Sequence, residues 1–169
     1  MIDMYAWAHR YVNDGFEVVC LMPGSIHPLS RSGVDSATRN HDIVHDLWTR
    51  TPTANIGLRV PKGHVLLKVD PSRGGSMWDL KELGATMTSK TAMNTWEVLY
   101  RAPGLQLMPA NCGSAIQSRG RNGLLVVEPS SLQAGGRYRW FDMRRPVQPS
   151  ASSFARLGLV TSPGRRNTR

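Results

Sequence analysis

Lys68 and Asp70 stand two residues apart at the end of the run Val65-Leu66-Leu67-Lys68-Val69-Asp70. Alternate residues of a strand point to one face, so an ammonium and a carboxylate converge here. Such a pair lines a charged pocket, or it is a surface contact worth under about 1 kcal/mol. The next segment, Ser72-Arg73-Gly74-Gly75-Ser76, can turn backbone N–H groups toward a phosphate. It lacks the lysine arrangement of a phosphate loop, and an ordinary turn fits it better. Arg119-Gly120-Arg121 can touch a nucleic-acid backbone without reading sequence. Tyr138, Trp140 and Phe141 interleave with Arg137, Arg139, Arg144 and Arg145, a mixture able to stack single-stranded bases. A strand would also place Tyr138 and Trp140 on one face, which suits a core as well. His41 and His45 have the i, i+4 spacing of zinc ligands, but Asp42 stands where a metalloprotease needs glutamate, so a solvated helix face is the better reading. Cys20 lies in Val18-Val19-Cys20-Leu21 and reads as a small buried hydrophobe. It and Cys112 match no metal or redox spacing.

The charge is one-sided. Residues 1–100 hold ten Lys/Arg and ten Asp/Glu; residues 101–169 hold eleven arginines against Glu128 and Asp142, and so carry the whole net charge of +9. A surplus confined to one part of a chain is what a polyanion-binding face requires. Arginine suits phosphate because its planar fork donates two parallel bonds. Part of the surplus, Arg165, Arg166 and Arg169, lies in a Ser/Pro/Gly-rich end that reads equally as a basic tail. Two isolated cysteines indicate a reducing compartment. Met1-Ile2-Asp3-Met4 does not begin a signal peptide. No apolar run reaches the roughly 20 residues of a membrane helix. The expectation is a soluble, cytoplasmic protein with no membrane partner.

These residues need elements to position them. Met4, Trp7, Ala8, Tyr11 and Val12 have helical spacing, closed by Gly15. Phe16–Met22 reads as a strand, stopped by Pro23-Gly24. Ile43, Val44, Leu47 and Trp48 share a helix face over residues 40–50, with Asn40 as N-cap and Pro52 as stop. Residues 55–60 and 65–70 read as two strands of a hairpin about Pro61–His64. Residues 76–83 predict a short helix. Further strands are expected at 95–101, 114–118, 124–128 and 138–141. From Pro146 onward the composition predicts an unfolded chain. This order argues for an α+β fold, with helices packed on a mixed or antiparallel sheet. The domain is placed at residues 1–146 and a disordered basic Ser/Pro/Arg-rich tail at 147–169.

The order of motifs resembles the primase-polymerase domain at the N-terminus of bifunctional primase proteins of phages, plasmids and integrated elements, within the archaeo-eukaryotic primase superfamily. The resemblance spans about residues 5–141. Its pieces are the Trp7 helix leading through Gly15 to a strand, Pro28-Leu29, Asp35-Ser36-Ala37-Thr38, the helix ending in Trp48, and Ala54-Asn55-Ile56-Gly57. The strand Val65–Asp70 with Pro71 and Gly74-Gly75 follows, then Pro129-Ser130-Ser131 and Gly135-Gly136-Arg137-Tyr138-Arg139-Trp140. The resemblance implies two-metal nucleotidyl transfer, with an Asp-x-Asp pair, a histidine on a neighbouring strand and a third acidic residue. Convergent carboxylates hold hard Mg²⁺ or Mn²⁺, which stabilise attacking and leaving oxygens.

This chain departs from that set. Asp70 matches the second aspartate and is the metal-ligand candidate; Lys68 replaces the first. Glu97 falls at the histidine and Gln117 at the third acid, so Asp70 and Glu97 are the candidate catalytic residues of a degenerate site. A cation at Lys68 opposes a metal: two like unit charges at about 4 Å repel by roughly 4 kcal/mol at an effective dielectric of 20, and a divalent ion doubles that. Its ammonium is expected to pair with Asp70. Arg73, Arg119, Arg121, Arg137 and Arg139 are the candidate nucleic-acid or nucleotide contacts. Three functions remain open. The first is a replication domain of a mobile element or phage, a pseudoenzyme that binds DNA, single-stranded or primer–template, without a cofactor. The second is an active Mg²⁺- or Mn²⁺-dependent DNA primase/polymerase using Asp70 and Glu97. The third is an adaptor for a replication helicase or another replication protein.

Overall fold

The computed structural model describes residues 2–107, 115–158 and 160–161. Asp3 opens helix α1, Met4–Asn13, by accepting a hydrogen bond from the Ala6 N–H, and Met4, Ala8, Tyr11 and Val12 form its buried stripe. Strand β1, Val18–Leu21, follows. Helix α2, His41–Arg50, is capped as expected by Asn40, whose side chain accepts from the N–H groups of Asp42 and Ile43 at 2.9 and 3.1 Å. Strand β2, Asn55–Arg59, pairs with β1 and with β8, Leu124–Val126, giving a three-stranded antiparallel sheet ordered β1-β2-β8.

Strand β3, His64–Val69, belongs to another sheet, so the expected hairpin with β2 does not form. Both strands are buried on both faces, and alternation alone then cannot choose a partner. The Pro61–Gly63 turn instead carries the chain from one sheet to the next. This larger sheet contains β4, Met87–Lys90, β5, Trp96–Arg101, β7, Ile116–Arg119, and β9, Arg139–Asp142, in the antiparallel order β7-β3-β5-β4-β9. Strand β4 was not expected from sequence, because Met-Thr-Ser-Lys offers one large apolar residue. Between β3 and β4, residues Met77–Leu83 form a 3-10 helix with a Ser76/Asp79 capping box. The α+β class is therefore realised with antiparallel sheets throughout.

The larger sheet has two covered faces. On one, Leu66, Met87 and Leu99 share a core with α1, α2 and the small sheet. On the other, Val65, Leu67, Val69, Val98 and Tyr100 pack under Leu80, Leu83 and Phe154. Phe154 corrects the expected unfolded tail. Ser150 caps helix α3, Ala151–Arg156, and Phe154 meets Tyr100 edge-on with ring centroids 5.9 Å apart. Strand β10, Val160–Thr161, then pairs with β6, Gln106–Leu107. One aromatic with a fitting socket outweighs the polar composition around it. Residues 162–169 of the tail, with Arg165, Arg166 and Arg169, lie outside the described residues, as do Cys112 and Ser114.

Several motif pieces serve the scaffold. Asn55 Nδ2 donates to the carbonyls of Ser25 and Ser131, and its Oδ1 accepts the Ser131 N–H. Ser130 Oγ accepts the Ile56 N–H at 2.9 Å. Tyr11 donates to the Glu128 carbonyl and accepts from Trp140 Nε1 at 2.7 Å, which ties α1 to both sheets. Gly136 has φ +91°, and a Cβ there would lie 2.6 Å from the Ala92 carbonyl oxygen. Gly136→Ala is expected to lower stability in urea unfolding by at least about 1–2 kcal/mol, combining left-handed strain with a backbone clash; an unchanged midpoint would contradict the close approach.

Candidate functional site

The site is set by strand register. Lys68 of β3 stands opposite Glu97 of β5 on one side and Gln117 of β7 on the other. Glu97 in turn faces Ser89 of β4, which faces Trp140 of β9. Directly paired residues of antiparallel strands put their side chains on the same face. Gln117, Lys68, Glu97, Ser89 and Trp140 thus form one row across the sheet. The neighbouring row on that face is Arg119, Leu66, Leu99 and Met87, of which Leu66, Leu99 and Met87 enter the core shared with the small sheet. Sequence placed three of the four chemical positions in this line and missed Ser89, because β4 gave no apolar signal.

Glu97 is the anomaly of the row. Its Oε2 is fully buried and has no hydrogen-bond partner among the described residues. Burial pushes its carboxyl up to about 7, against the opposing pull of Lys68 and Arg119. An unpaired buried carboxylate escapes its desolvation cost by holding a proton. Tyr138, buried just beyond, is pushed up to about 12 by its own burial and then by the charge of Glu97.

Asp70 is one residue beyond β3, and its N–H still bonds the Ala115 carbonyl at 2.8 Å. Its carboxylate is occupied locally. Oδ1 accepts from Ser72 N–H at 3.0 Å and Ser72 O–H at 2.6 Å, and Oδ2 lies 3.4 Å from Arg73 Nε. These contacts hold its pKa below the usual carboxylate range, the Ser72 hydroxyl first, with Arg73 and Lys68 adding at longer range. The expected Lys68–Asp70 ion pair is replaced by Arg73–Asp70. The arginine sits on the tight turn after the strand, three residues from Asp70, and reaches it at less conformational cost.

The other candidates divide. Arg119 lies on the Glu97 face, close enough to act on its carboxyl. Arg121 is turned away, bound to Glu17. Arg137 is exposed in the loop that bridges back to Ser131, and Arg139 is exposed on β9 opposite Lys90. Trp140 and Tyr138 point inward, so of the three interleaved aromatics only Phe141 is free to meet a base. His41 and His45 are exposed, against the rings of His9 and Tyr5. Cys20 is buried.

The donor set does not fit a pair of divalent ions. No group of three or more His, Cys, Asp or Glu among the described residues is placed to hold a metal. One carboxylate, Asp70, is engaged by Ser72 and Arg73; the other, Glu97, is pushed up to about 7 by burial despite two neighbouring cations.

The raised Glu97 pKa has a stability consequence with a definite sign. The folded state holds the Glu97 proton more tightly than the unfolded chain, so its contribution is full below the unfolded value of 4.5 and is lost as pH rises through about 7. Glu97→Gln keeps the shape and removes the ionisation. It is expected to leave stability unchanged near the acid limit and to raise it by roughly 1–3 kcal/mol above neutral pH, measured by denaturant unfolding at both pH values. Equal effects at the two pH values would contradict the assignment.

A search of curated proteins gives no match. The family model described as bifunctional DNA primase/polymerase, N-terminal, matches residues 8–152. That span runs from α1 into α3 and includes every strand of the row, so the chain belongs to the bifunctional DNA primase/polymerase N-terminal family.

Proposed function

We propose that this chain is a primase-polymerase-like domain of mobile-element or phage replication that binds nucleic acid and has lost metal-dependent nucleotidyl transfer. Family membership supports the coarser statement, a DNA primase/polymerase-like role with nucleic-acid contact. The finer reading rests on one observation: Lys68 and Arg119 act on Glu97, whose Oε2 is buried with no hydrogen-bond partner among the described residues, in the row where the family's chemistry needs converging carboxylates.

In this reading Lys68 and Arg119 meet backbone or nucleotide phosphate where metal ions would otherwise neutralise it. Arginine and lysine neutralise phosphate without geometry demands on a second carboxylate. Arg73 and Arg137 extend the cationic surface and position the strand without reading its bases. Mg²⁺ and Mn²⁺ are then not needed for binding. No helix among the described residues is long and apolar enough to cross a membrane, and we place the protein in the cytoplasm, with DNA as partner and a replication helicase or other replication protein as its working context.

Primer extension on a primed template with Mg²⁺ or Mn²⁺ tests the proposal. No incorporation is expected, from the wild type or from Asp70→Ala. DNA affinity is expected to fall linearly in log–log form with salt, and Lys68→Ala to weaken it. Incorporation that disappears in Asp70→Ala would instead establish an active polymerase, and salt-independent behaviour with no DNA binding would favour a protein adaptor.

A further inference from the structure

The face of the larger sheet opposite the Glu97 row carries a second cluster that the family chemistry does not use. One residue along from the polar row, Val69, Trp96, Lys90 and Arg139 are paired across the strands, and so point to the other face. Phe141, two residues beyond Arg139 on the edge strand β9, shares that face and meets Trp96 edge-on, with ring centroids 5.3 Å apart. Lys90 Nζ lies over the Trp96 ring at 5.0 Å, and Lys81 Nζ over the Trp78 ring at 4.6 Å. Lys81 and Phe141 border one groove of about 200 Å³, so the two aromatic–lysine pairs flank a shared depression.

Phe141 is 75% exposed and Trp78 is 71% exposed, the two most exposed large hydrophobic side chains in the described chain. Exposed apolar side chains that cluster, rather than lie scattered singly, mark an interaction site. The charges around them are of one available sign. Asp142 is bonded to Arg144, Glu82 to Arg156 and Asp79 to the Ser76 N–H, whereas Lys81, Lys90 and Arg139 have no carboxylate partner among the described residues. Flat rings interleaved with cations that no carboxylate neutralises match the alternation of bases and phosphates along an unpaired strand. A duplex keeps its bases stacked inside and offers such rings nothing.

We infer that Trp78, Trp96 and Phe141, with Lys81, Lys90 and Arg139, form a stacking platform for single-stranded nucleic acid on the rear face of the sheet, separate from the Glu97 row. The inference rests on the reading that the domain binds nucleic acid, and adds a site and a strand state to it. The sequence offered Arg139 as a nucleic-acid contact and Phe141 as one of three interleaved aromatics, but gave no reason to include Trp78, Lys81 or Lys90, which reach the platform only through the fold.

Fluorescence anisotropy of the full chain with labelled oligo(dT) and oligo(rU), each of about 16 nucleotides, and with a blunt duplex, tests this. Preference for the unpaired strands is expected; the two oligonucleotides separate DNA from RNA, since either stacks alike. Phe141→Ala and Trp78→Ala are each expected to weaken binding about tenfold while leaving the salt slope unchanged. Lys81→Ala and Lys90→Ala are expected to lower that slope by about 0.7 each. Phe141→Trp is expected to retain binding, and Ile43→Ala, an exposed apolar residue on α2, to change nothing. Circular dichroism verifies folding of each variant. If the wild type binds no nucleic acid, the underlying reading fails and the platform with it. If it binds but Phe141→Ala and Trp78→Ala match the wild type, the platform alone is overturned. Loss of binding confined to Arg101→Ala and Arg145→Ala, in the separate cavity beside Trp140, would likewise overturn it.

Discussion

Everything about the candidate site depends on the register of β3 between β5 and β7. The pairings Lys68↔Glu97 and Lys68↔Gln117 are backbone facts, fixed by ladder hydrogen bonds, and they leave the side chains no choice of face. A slip of one residue would turn Leu66 out of the core and bring Val69 into the polar row. Burial of Leu66 on one face and of Val65, Leu67 and Val69 on the other opposes that slip. Hydrophobic packing therefore holds the polar row in line, and the row costs stability where it sits.

That cost is concentrated at Glu97. Its Oε2 is sealed from water with no partner among the described residues, while Lys68 and Arg119 lower its pKa without cancelling the effect of burial. A site built to bind divalent ions would show the reverse: several carboxylates repelling one another until a metal neutralises them. Here the surplus is positive and one carboxylate is on the edge of protonation. Asp70, the one residue that keeps its expected identity, serves instead as the cap of the turn that ends β3.

Much of this was legible in the chain. The Trp7 and Trp48 helices, Asn40 as cap, and the strands carrying Lys68, Glu97 and Gln117 followed from apolar spacing and turn residues. The parts that were not legible share a cause. Met87–Lys90 became a strand through its neighbours β5 and β9 rather than through its own composition, so Ser89 and Lys90 were missed. The supposed β2–β3 hairpin failed because a strand buried on both faces does not name its partner. The region after Pro146 was judged by composition, and a single well-housed Phe154 overrode it. Asp70 was read as Lys68's partner because alternation counts residues, whereas the nearby turn places Arg73 closer.

The proposed function requires the row formed by Gln117, Lys68, Glu97 and Ser89 to hold no divalent ion. Electron paramagnetic resonance of Mn²⁺ titrated with the wild type and with Glu97→Gln measures this most directly. The account expects the free-ion signal to stay and the two proteins to behave alike. A saturable Mn²⁺ site in the wild type that Glu97→Gln abolishes would contradict it.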